Sequence, residues 1–175
     1  STQPPEHRGY VFFTPARPAH YRVYSAPNSG MWCCVGTGME NHGKYGEFIY
    51  THNEDELYVN LFVASQLNWK EKKFCLKQET NFPNEETVRF TVSGKSQKLK
   101  LKIRCPWWVK PGEMKVICKG KDYAVGAQPS SYIEIERKWK KGDVIEVTMP
   151  MSITVEELPN LPNYIAIMRG PILLG

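Results

Sequence analysis

Apolar and polar residues alternate along several segments in the second half of the chain. The alternation runs through residues 57–63, 98–104, 131–138 and 144–149. A period of two is typical of a β-strand with one buried and one exposed face. Turn sequences rich in Gly, Pro, Asn and Asp separate these segments, as they do in β-sandwiches. The pattern predicts a mainly β fold over residues 53–175, an antiparallel β-sandwich or jelly roll.

The first part of the chain has a different pattern and contains the only helical periodicity. Thr37 followed by Glu40 is a capping-box sequence, which predicts a helix that begins near Thr37. Gly43 and Gly46 fall on one face of this helix, and such a face packs closely against another helix. The chain offers no second helix to fill that place. We therefore predict that residues 1–52 form a separate domain, a loop-plus-helix remnant of a larger helical unit.

The charge of the chain does not point to a nucleic-acid partner. The net charge is +5 over 175 residues. However, Lys98, Lys100 and Lys102 alternate with apolar residues, so they are interpreted as the exposed face of a strand. No basic helix or nucleic-acid motif accompanies them. No apolar run approaches the roughly 20 residues that a membrane helix needs, so no membrane span is predicted.

The chain has five cysteines, so at least one thiol is unpaired within it. Cys33 and Cys34 are neighbours, and Cα atoms about 3.8 Å apart lie below the usual range for a disulfide. Cys75, Cys105 and Cys118 are interpreted as small buried hydrophobic residues. A disulfide between Cys105 and Cys118 remains an alternative at this point.

The pair Cys33-Cys34 lies close to the predicted helix start. Backbone N–H groups and the helix dipole lower thiol pKa values there and favour the reactive, metal-binding thiolate. Neighbouring cysteines can bind one Zn²⁺ ion, but a closed site needs four ligands. His42 and Glu40 lie within reach along the helix, but a histidine on a helix is more often structural or solvated than a ligand. Two readings of the pair stay open: a functional site, or two buried structural thiols.

Other candidate site residues are weaker. Neighbouring acidic residues on a strand face opposite ways, whereas glycosidases place two carboxylates across the sugar from each other. The acidic pairs of this chain are therefore interpreted as surface charge. Trp69, Trp107, Trp108 and Trp139 are interpreted as core residues, with a sugar-stacking platform as the alternative.

One group of motifs carries a family resemblance. Residues 32–42 read WCCVGTGMENH, and residues 44–46 and 57–62 read KYG and LYVNLF. Together they resemble the β-L-arabinofuranosidase family of bacterial glycoside hydrolases (family 127/146-like), formerly catalogued as a domain of unknown function. Residues 135–143, IERKWKKGD, and 166–171, AIMRGP, match the later part of that family.

The resemblance implies a catalytic (α/α)₆ barrel followed by β-sandwich domains. Residues 1–52 would be the tail of that barrel and residues 53–175 a sandwich, so the chain is interpreted as a C-terminal fragment. The resemblance also implies a Zn²⁺ site built from a glutamate, an upstream cysteine and the paired cysteines. Cys33 would be both nucleophile and zinc ligand, and Cys34 a zinc ligand. A separate upstream glutamate would be the acid/base in a retaining reaction.

The implied substrate is terminal β-L-arabinofuranose on plant oligo- or polysaccharides. Because the acid/base and the other zinc ligands would precede residue 1, we expect this chain alone to be inactive and to hold no zinc tightly. The alternative is a non-catalytic carbohydrate-binding or structural β-sandwich. A thiol-redox protein is disfavoured because the pair lacks the Cys-x-x-Cys spacing. Localisation is unknown from the sequence, and periplasmic or extracellular by analogy with exported enzymes.

Overall fold

The computed structural model describes residues 19, 21, 23–26, 28–30 and 32–174. These residues fall into two compact units, one ending at Glu47 and one running from Phe48 to Leu174. Residues 1–18, which belong to the first predicted domain, lie outside the described residues. The predicted division after residue 52 stays a prediction.

Helix α1 (Cys33–Ile49) begins four residues before the predicted start. The carbonyl of Trp32 accepts hydrogen bonds from the amides of Val35, at 2.9 Å, and Gly36, at 3.3 Å. Thr37 therefore lies inside the first turns rather than at the cap. Its hydroxyl donates back to earlier carbonyls, which is the usual alternative for a helical threonine. The prediction of a helix start near Thr37 was wrong.

Among the described residues, nothing packs closely on the glycine face of α1. Apart from the two chain neighbours and the nearby helix backbone, none of their atoms lies within 4 Å of a Cβ built on Gly43 or Gly46. The helix that was predicted to pack on this face is therefore not among the described residues. None of the described helical residues forms a helix long and apolar enough to cross a membrane.

Thirteen strands follow α1 within the described residues. In chain order they are β1 (Tyr50–His52), β2 (Glu56–Val59), β3 (Ser65–Trp69), β4 (Phe74–Thr80), β5 (Thr87–Gly94), β6 (Gln97–Cys105), β7 (Lys115–Cys118), β8 (Lys121–Asp122), β9 (Ser131–Trp139), β10 (Val144–Thr148), β11 (Ile153–Leu158), β12 (Leu161–Arg169) and β13 (Ile172–Leu173). They form three sheets, with strand orders β1-β2-β6-β9, β3-β4-β5-β10-β7-β8 and β11-β12-β13.

The first two sheets share one hydrophobic core. Strand β6 contributes buried Leu101 and Ile103 from the first sheet, and β10 contributes buried Ile145 and Val147 from the second. Alternate residues of these strands point into the core, as the period-two pattern predicts. The predicted mainly β sandwich preceded by a short helix is confirmed. One pairing departs from the antiparallel rule, because β2 and β6 run parallel.

The third sheet is largely exposed among its described residues. Every residue of β11 is exposed, including the apolar Ile153 and Val155. Val155 is paired with Ile167 of β12, so apolar side chains lie side by side on this small sheet.

Candidate active site

Cys33 and Cys34 are the first two residues of α1. Their Sγ atoms lie 3.7 Å apart, far longer than the roughly 2.0 Å of a disulfide bond. Cys33 is exposed and Cys34 is half-buried. The reading of the pair as two buried thiols is therefore wrong for Cys33. All five cysteines of the chain are free, so the Cys105–Cys118 disulfide left open above does not form.

The separation of the two sulphurs suits a shared metal ligand. In a tetrahedral zinc site with Zn–S bonds of about 2.3 Å, two sulphurs lie about 3.8 Å apart. The distance of 3.7 Å between Cys33 and Cys34 is close to that edge. Within the described part of the chain, no group of three or more His, Cys, Asp or Glu side chains could hold a metal ion. The donor set present thus fits Zn²⁺ as two of four ligands.

Cys33 influences the ionisation of Cys34. The hydrogen bond with Cys33 raises the pKa of the Cys34 thiol, and partial burial and the charge of Cys33 raise it further. The backbone N–H of Cys34 lowers that pKa only in part. Two thiolates at this distance repel each other, so a nearby cation would favour the second ionisation. The first turn of α1 contains no acidic residue that would oppose such negative charge.

The polar residues further along α1 do not join the pair. The ring of His42 packs edge-on against Tyr45, with 5.5 Å between centroids. Asn41 donates a hydrogen bond from Nδ2 to the Tyr45 hydroxyl at 2.9 Å. Glu40 and His42 are exposed. The exposure of His42 and its contact with Tyr45 agree with its interpretation as a structural or solvated residue.

The tryptophans do not form one sugar-stacking platform. Trp139 and Trp69 are buried, with 0% and 5% of their surface exposed. Trp108 stacks on Phe82 with 6.0 Å between ring centroids and packs against the core. Trp107 is 55% exposed. The core interpretation is correct for Trp69 and Trp139, and among these four only Trp107 presents a large aromatic surface to solvent.

The outer face of the four-stranded sheet carries a charge cluster that the sequence revealed only in part. Lys102 lies 3.1 Å from a carboxylate oxygen of Glu56 and 3.1 Å from one of Glu134. Lys100 contacts the same two carboxylates at 3.4 and 3.5 Å. The lysines were expected on an exposed strand face. Their glutamate partners could not be assigned, because they lie on neighbouring strands whose pairing the sequence does not give.

Two family models match the chain. Residues 56–151 match the β-L-arabinofuranosidase GH127 middle domain, and residues 1–47 match the β-L-arabinofuranosidase GH127 catalytic domain. The matches define the chain as part of a glycoside hydrolase, with a stretch of a catalytic domain followed by a β-sandwich domain. The chain belongs to the GH127 β-L-arabinofuranosidase family, as its motifs predicted.

Solved structures agree with this family. A protein described as a glycoside hydrolase superposes with a TM-score of 0.73 and 30% identity, over 92% of this chain and 27% of its own. A GH127 β-L-arabinofuranosidase from Geobacillus stearothermophilus T6 superposes with a TM-score of 0.70 and 28% identity, over 84% of this chain and 25% of its own. The GH127 β-arabinofuranosidase BT3674 superposes with a TM-score of 0.75 and 26% identity, over 95% of this chain and 29% of its own.

The chain thus spans between 25% and 29% of the length of these three structures. No protein with a curated description matches it.

Proposed function

We propose that this chain is the thiol-bearing part of a retaining glycoside hydrolase that releases β-L-arabinofuranose from plant glycans. The observation that carries the proposal is the spacing of the Cys33 and Cys34 sulphurs, 3.7 Å apart at the first two positions of α1. Membership of the GH127 family supplies the reaction class and the sugar. Cys33 is the proposed nucleophile, and both cysteines are proposed zinc ligands.

The position of Cys33 suits a nucleophile. A thiolate is the reactive form of cysteine, and the positive end of a helix stabilises it. Cys33 is also the more exposed member of the pair, so a sugar can approach its sulphur. Cys34 is half-buried and its pKa is raised, which makes it the poorer nucleophile. The two neighbours are therefore assigned different roles.

The proposed reaction has two displacements. In the first, the Cys33 thiolate bonds to the anomeric carbon while the bond to the leaving oxygen breaks and a carboxylic acid protonates that oxygen. In the second, the resulting carboxylate takes a proton from water, the water oxygen bonds to the anomeric carbon, and the carbon–sulphur bond breaks. Two inversions restore the original configuration, so the released arabinose keeps the β configuration.

The cysteine pair provides two ligands of a Zn²⁺ site whose other ligands come from the rest of the protein. When bound, Zn²⁺ would hold both sulphurs deprotonated and offset their mutual repulsion. The described residues provide two donors, and we propose that a glutamate and a third cysteine before residue 1 provide the others. The acid/base glutamate is assigned to the same upstream part. The chain of residues 1–175 alone is then inactive and holds zinc weakly, and the whole enzyme is proposed to act outside the cytoplasm.

The test is release of L-arabinose from a synthetic β-L-arabinofuranoside by the chain extended upstream. Cys33→Ala is expected to abolish release while the fold persists, and the zinc content is measured in parallel because the variant also removes one proposed zinc ligand. Cys75→Ala is the matched control, because Cys75 is a half-buried thiol on β4 outside the pair. Release that survives Cys33→Ala would remove Cys33 as the nucleophile. Release that is lost equally in Cys75→Ala would show a general effect of thiol removal.

A second candidate function is carbohydrate binding by the sandwich, favoured by the exposure of Trp107. Exposed aromatic rings bind sugars by stacking. Under this candidate, arabinan in a native gel retards the chain, and Trp107→Ala abolishes the retardation. Unchanged migration of the wild-type chain would reject this candidate without touching the first.

A further inference from the structure

The hydroxyl of Thr37 is hydrogen-bonded to the backbone of both cysteines of the pair. Its single O–H proton is shared between the carbonyl oxygen of Cys33, 3.3 Å from Oγ1, and that of Cys34, 3.2 Å from Oγ1. One side chain therefore ties together the two peptide units that carry the thiols. Bonds of this kind, to carbonyls three and four residues earlier, bend a helix locally.

The first turn of α1 has few other side chains that stabilise it. Gly36 and Gly38 flank Thr37, and glycine is among the least favourable residues in a helix. The first turn has no acidic residue to stabilise the positive end of the dipole. Trp32, whose carbonyl accepts the first helical hydrogen bonds, has no side-chain oxygen to cap the free amides. Within the described residues, the Thr37 hydroxyl therefore adds a side-chain contact to the backbone hydrogen bonds of this turn.

The separation of the two sulphurs is sensitive to that geometry. Consecutive residues of a helix project their side chains about 100° apart around the axis. Adjacent cysteines can therefore face one ligand only at particular backbone and side-chain angles. A shift of either peptide unit would change the 3.7 Å that separates the sulphurs of Cys33 and Cys34.

We propose that Thr37 is a positioning residue, whose hydroxyl holds the peptide units of Cys33 and Cys34 so that both sulphurs face one ligand. The inference rests on the proposed function of the pair and adds a residue to it. Thr37 itself contacts neither metal nor sugar in this role. Its effect on the reaction passes through the cysteines.

Three substitutions separate this role from a general effect on the helix. Thr37→Ser keeps the hydroxyl, Thr37→Val keeps the branched shape without the hydroxyl, and Thr37→Ala removes the hydroxyl while raising helix propensity. We expect Thr37→Ser to behave like the wild type, and both other variants to lose the pair's geometry. If Thr37 only supported the helix, Thr37→Ala would be the least harmful of the three.

The readout is capture of phenylarsine oxide by the metal-free full-length protein. The arsenic atom bonds to both sulphurs and its oxygen leaves as water with the two thiol protons, so capture reports whether the thiols face one ligand. The dissociation constant is expected to rise about tenfold or more in Thr37→Val and Thr37→Ala, and to change by less than about threefold in Thr37→Ser. The double variant Cys33→Ser/Cys34→Ser marks the affinity of a protein without the pair.

Equal capture by the wild type and Thr37→Val would overturn the proposal. A wild type that captures the reagent no better than Cys33→Ser/Cys34→Ser would also overturn it. Arsenic capture needs no glycosidase turnover. It therefore tests the role of Thr37 independently of whether Cys33 is the nucleophile. In the active enzyme, Thr37→Val and Thr37→Ala are expected to lower kcat in proportion to their weaker arsenic binding. The KM for the arabinofuranoside is expected to stay constant.

Discussion

The indole Nε1 of Trp139 donates a hydrogen bond to the carbonyl oxygen of Leu99, 3.1 Å away, inside the shared core. Trp139 is the last residue of β9, and Leu99 lies in the neighbouring strand β6. The contact therefore adds a side-chain bond to the backbone ladder between the two strands. Trp139 is fully buried, so its removal leaves a cavity inside the core.

Replacing Trp139 is expected to destabilise the sandwich strongly. Trp139→Ala removes a large buried side chain and leaves the Leu99 carbonyl without its indole donor, which we expect to cost about 3–5 kcal/mol. Trp107→Ala is the control, since that side chain is 55% exposed, and we expect it to stay within about 0.5 kcal/mol of the wild type. Urea unfolding followed by fluorescence measures both. Similar losses in the two variants would contradict the assignment of Trp139 to the core.

The strands of the sandwich could be predicted because half-buried strands keep a period of two. The alternation over residues 98–104 and 131–138 lies within β6 and β9. What the pattern does not contain is strand direction. Residues 57–59 alternate in the same way whether β2 runs parallel or antiparallel to β6, and the structure places the two strands parallel.

The start of α1 could not be predicted, because a helical threonine has two alternative partners. The Thr37 hydroxyl can accept a bond from an amide ahead of it, as a cap, or donate to a carbonyl behind it, as an internal residue. Which occurs depends on whether Trp32 already begins the helix. The sequence did predict that Cys33 and Cys34 lie near the start of the helix. The sulphur separation, on which the zinc argument depends, required coordinates.

The stability of the sandwich should fall in acid partly through Glu56. The Tyr58 hydroxyl donates to this carboxylate at 2.6 Å, Asn53 donates at 2.9 Å, and Lys102 lies 3.1 Å away. In that order these contacts lower the pKa of Glu56 from its ordinary value of 4.5 to about 2. The unfolded chain then binds the proton more readily than the folded one. The stabilisation is complete above a pH of 4.5 and is lost as the pH falls towards about 2.

Glu56→Gln tests this linkage. The variant is expected to be less stable than the wild type near neutral pH, and the difference should shrink as the pH falls below 4.5 towards about 2. Urea midpoints measured across that range give the difference directly. Glu113→Gln, at an exposed turn position, is the matched control and should run parallel to the wild type. A difference for Glu56→Gln that stays constant with pH would contradict the prediction.

Gly94 occupies a backbone position that excludes a side chain for two reasons. Its φ is +90°, and a Cβ built on it would lie 2.5 Å from the carbonyl oxygen of Lys73. That oxygen accepts a hydrogen bond from the amide of Lys95 at 2.8 Å, so it cannot retreat without weakening the bond. Gly142 has a nearly equal φ of +87° but open space around a built Cβ.

The pair of substitutions Gly94→Ala and Gly142→Ala isolates the steric contact. Both variants are expected to lose stability because alanine is strained at positive φ. Gly94→Ala should lose at least about 1 kcal/mol more because of the added clash. Thermal unfolding of the two variants gives this difference. Equal losses would show that the Lys73 carbonyl moves aside freely and that φ alone sets the cost.

The thiols of the chain should differ in their reaction with iodoacetamide. Cys33 is exposed, whereas Cys105 and Cys118 each have only 1% of their surface exposed. Burial raises the pKa of the Cys105 thiol, and it is the largest effect on that of Cys118, whose pKa is also raised. Both exclusion of the reagent and scarcity of thiolate therefore slow the two buried sites.

Peptide mass spectrometry of the native chain is expected to find Cys33 modified first, and Cys105 and Cys118 modified only when denaturant is added. Cys34 should react more slowly than Cys33. The midpoint of its rate-versus-pH profile should lie above the ordinary thiol pKa of 9.0, because the pKa of Cys34 is raised. Cys34→Ser is the control for the hydrogen bond within the pair, and Cys33 should remain accessible in it. Modification of Cys105 as fast as that of Cys33 would mean that the sandwich core opens on the timescale of the reaction. Cys34 reacting ahead of Cys33 would instead exchange the roles of the two thiols, and Cys34 would then be the nucleophile to test in the arabinofuranoside assay.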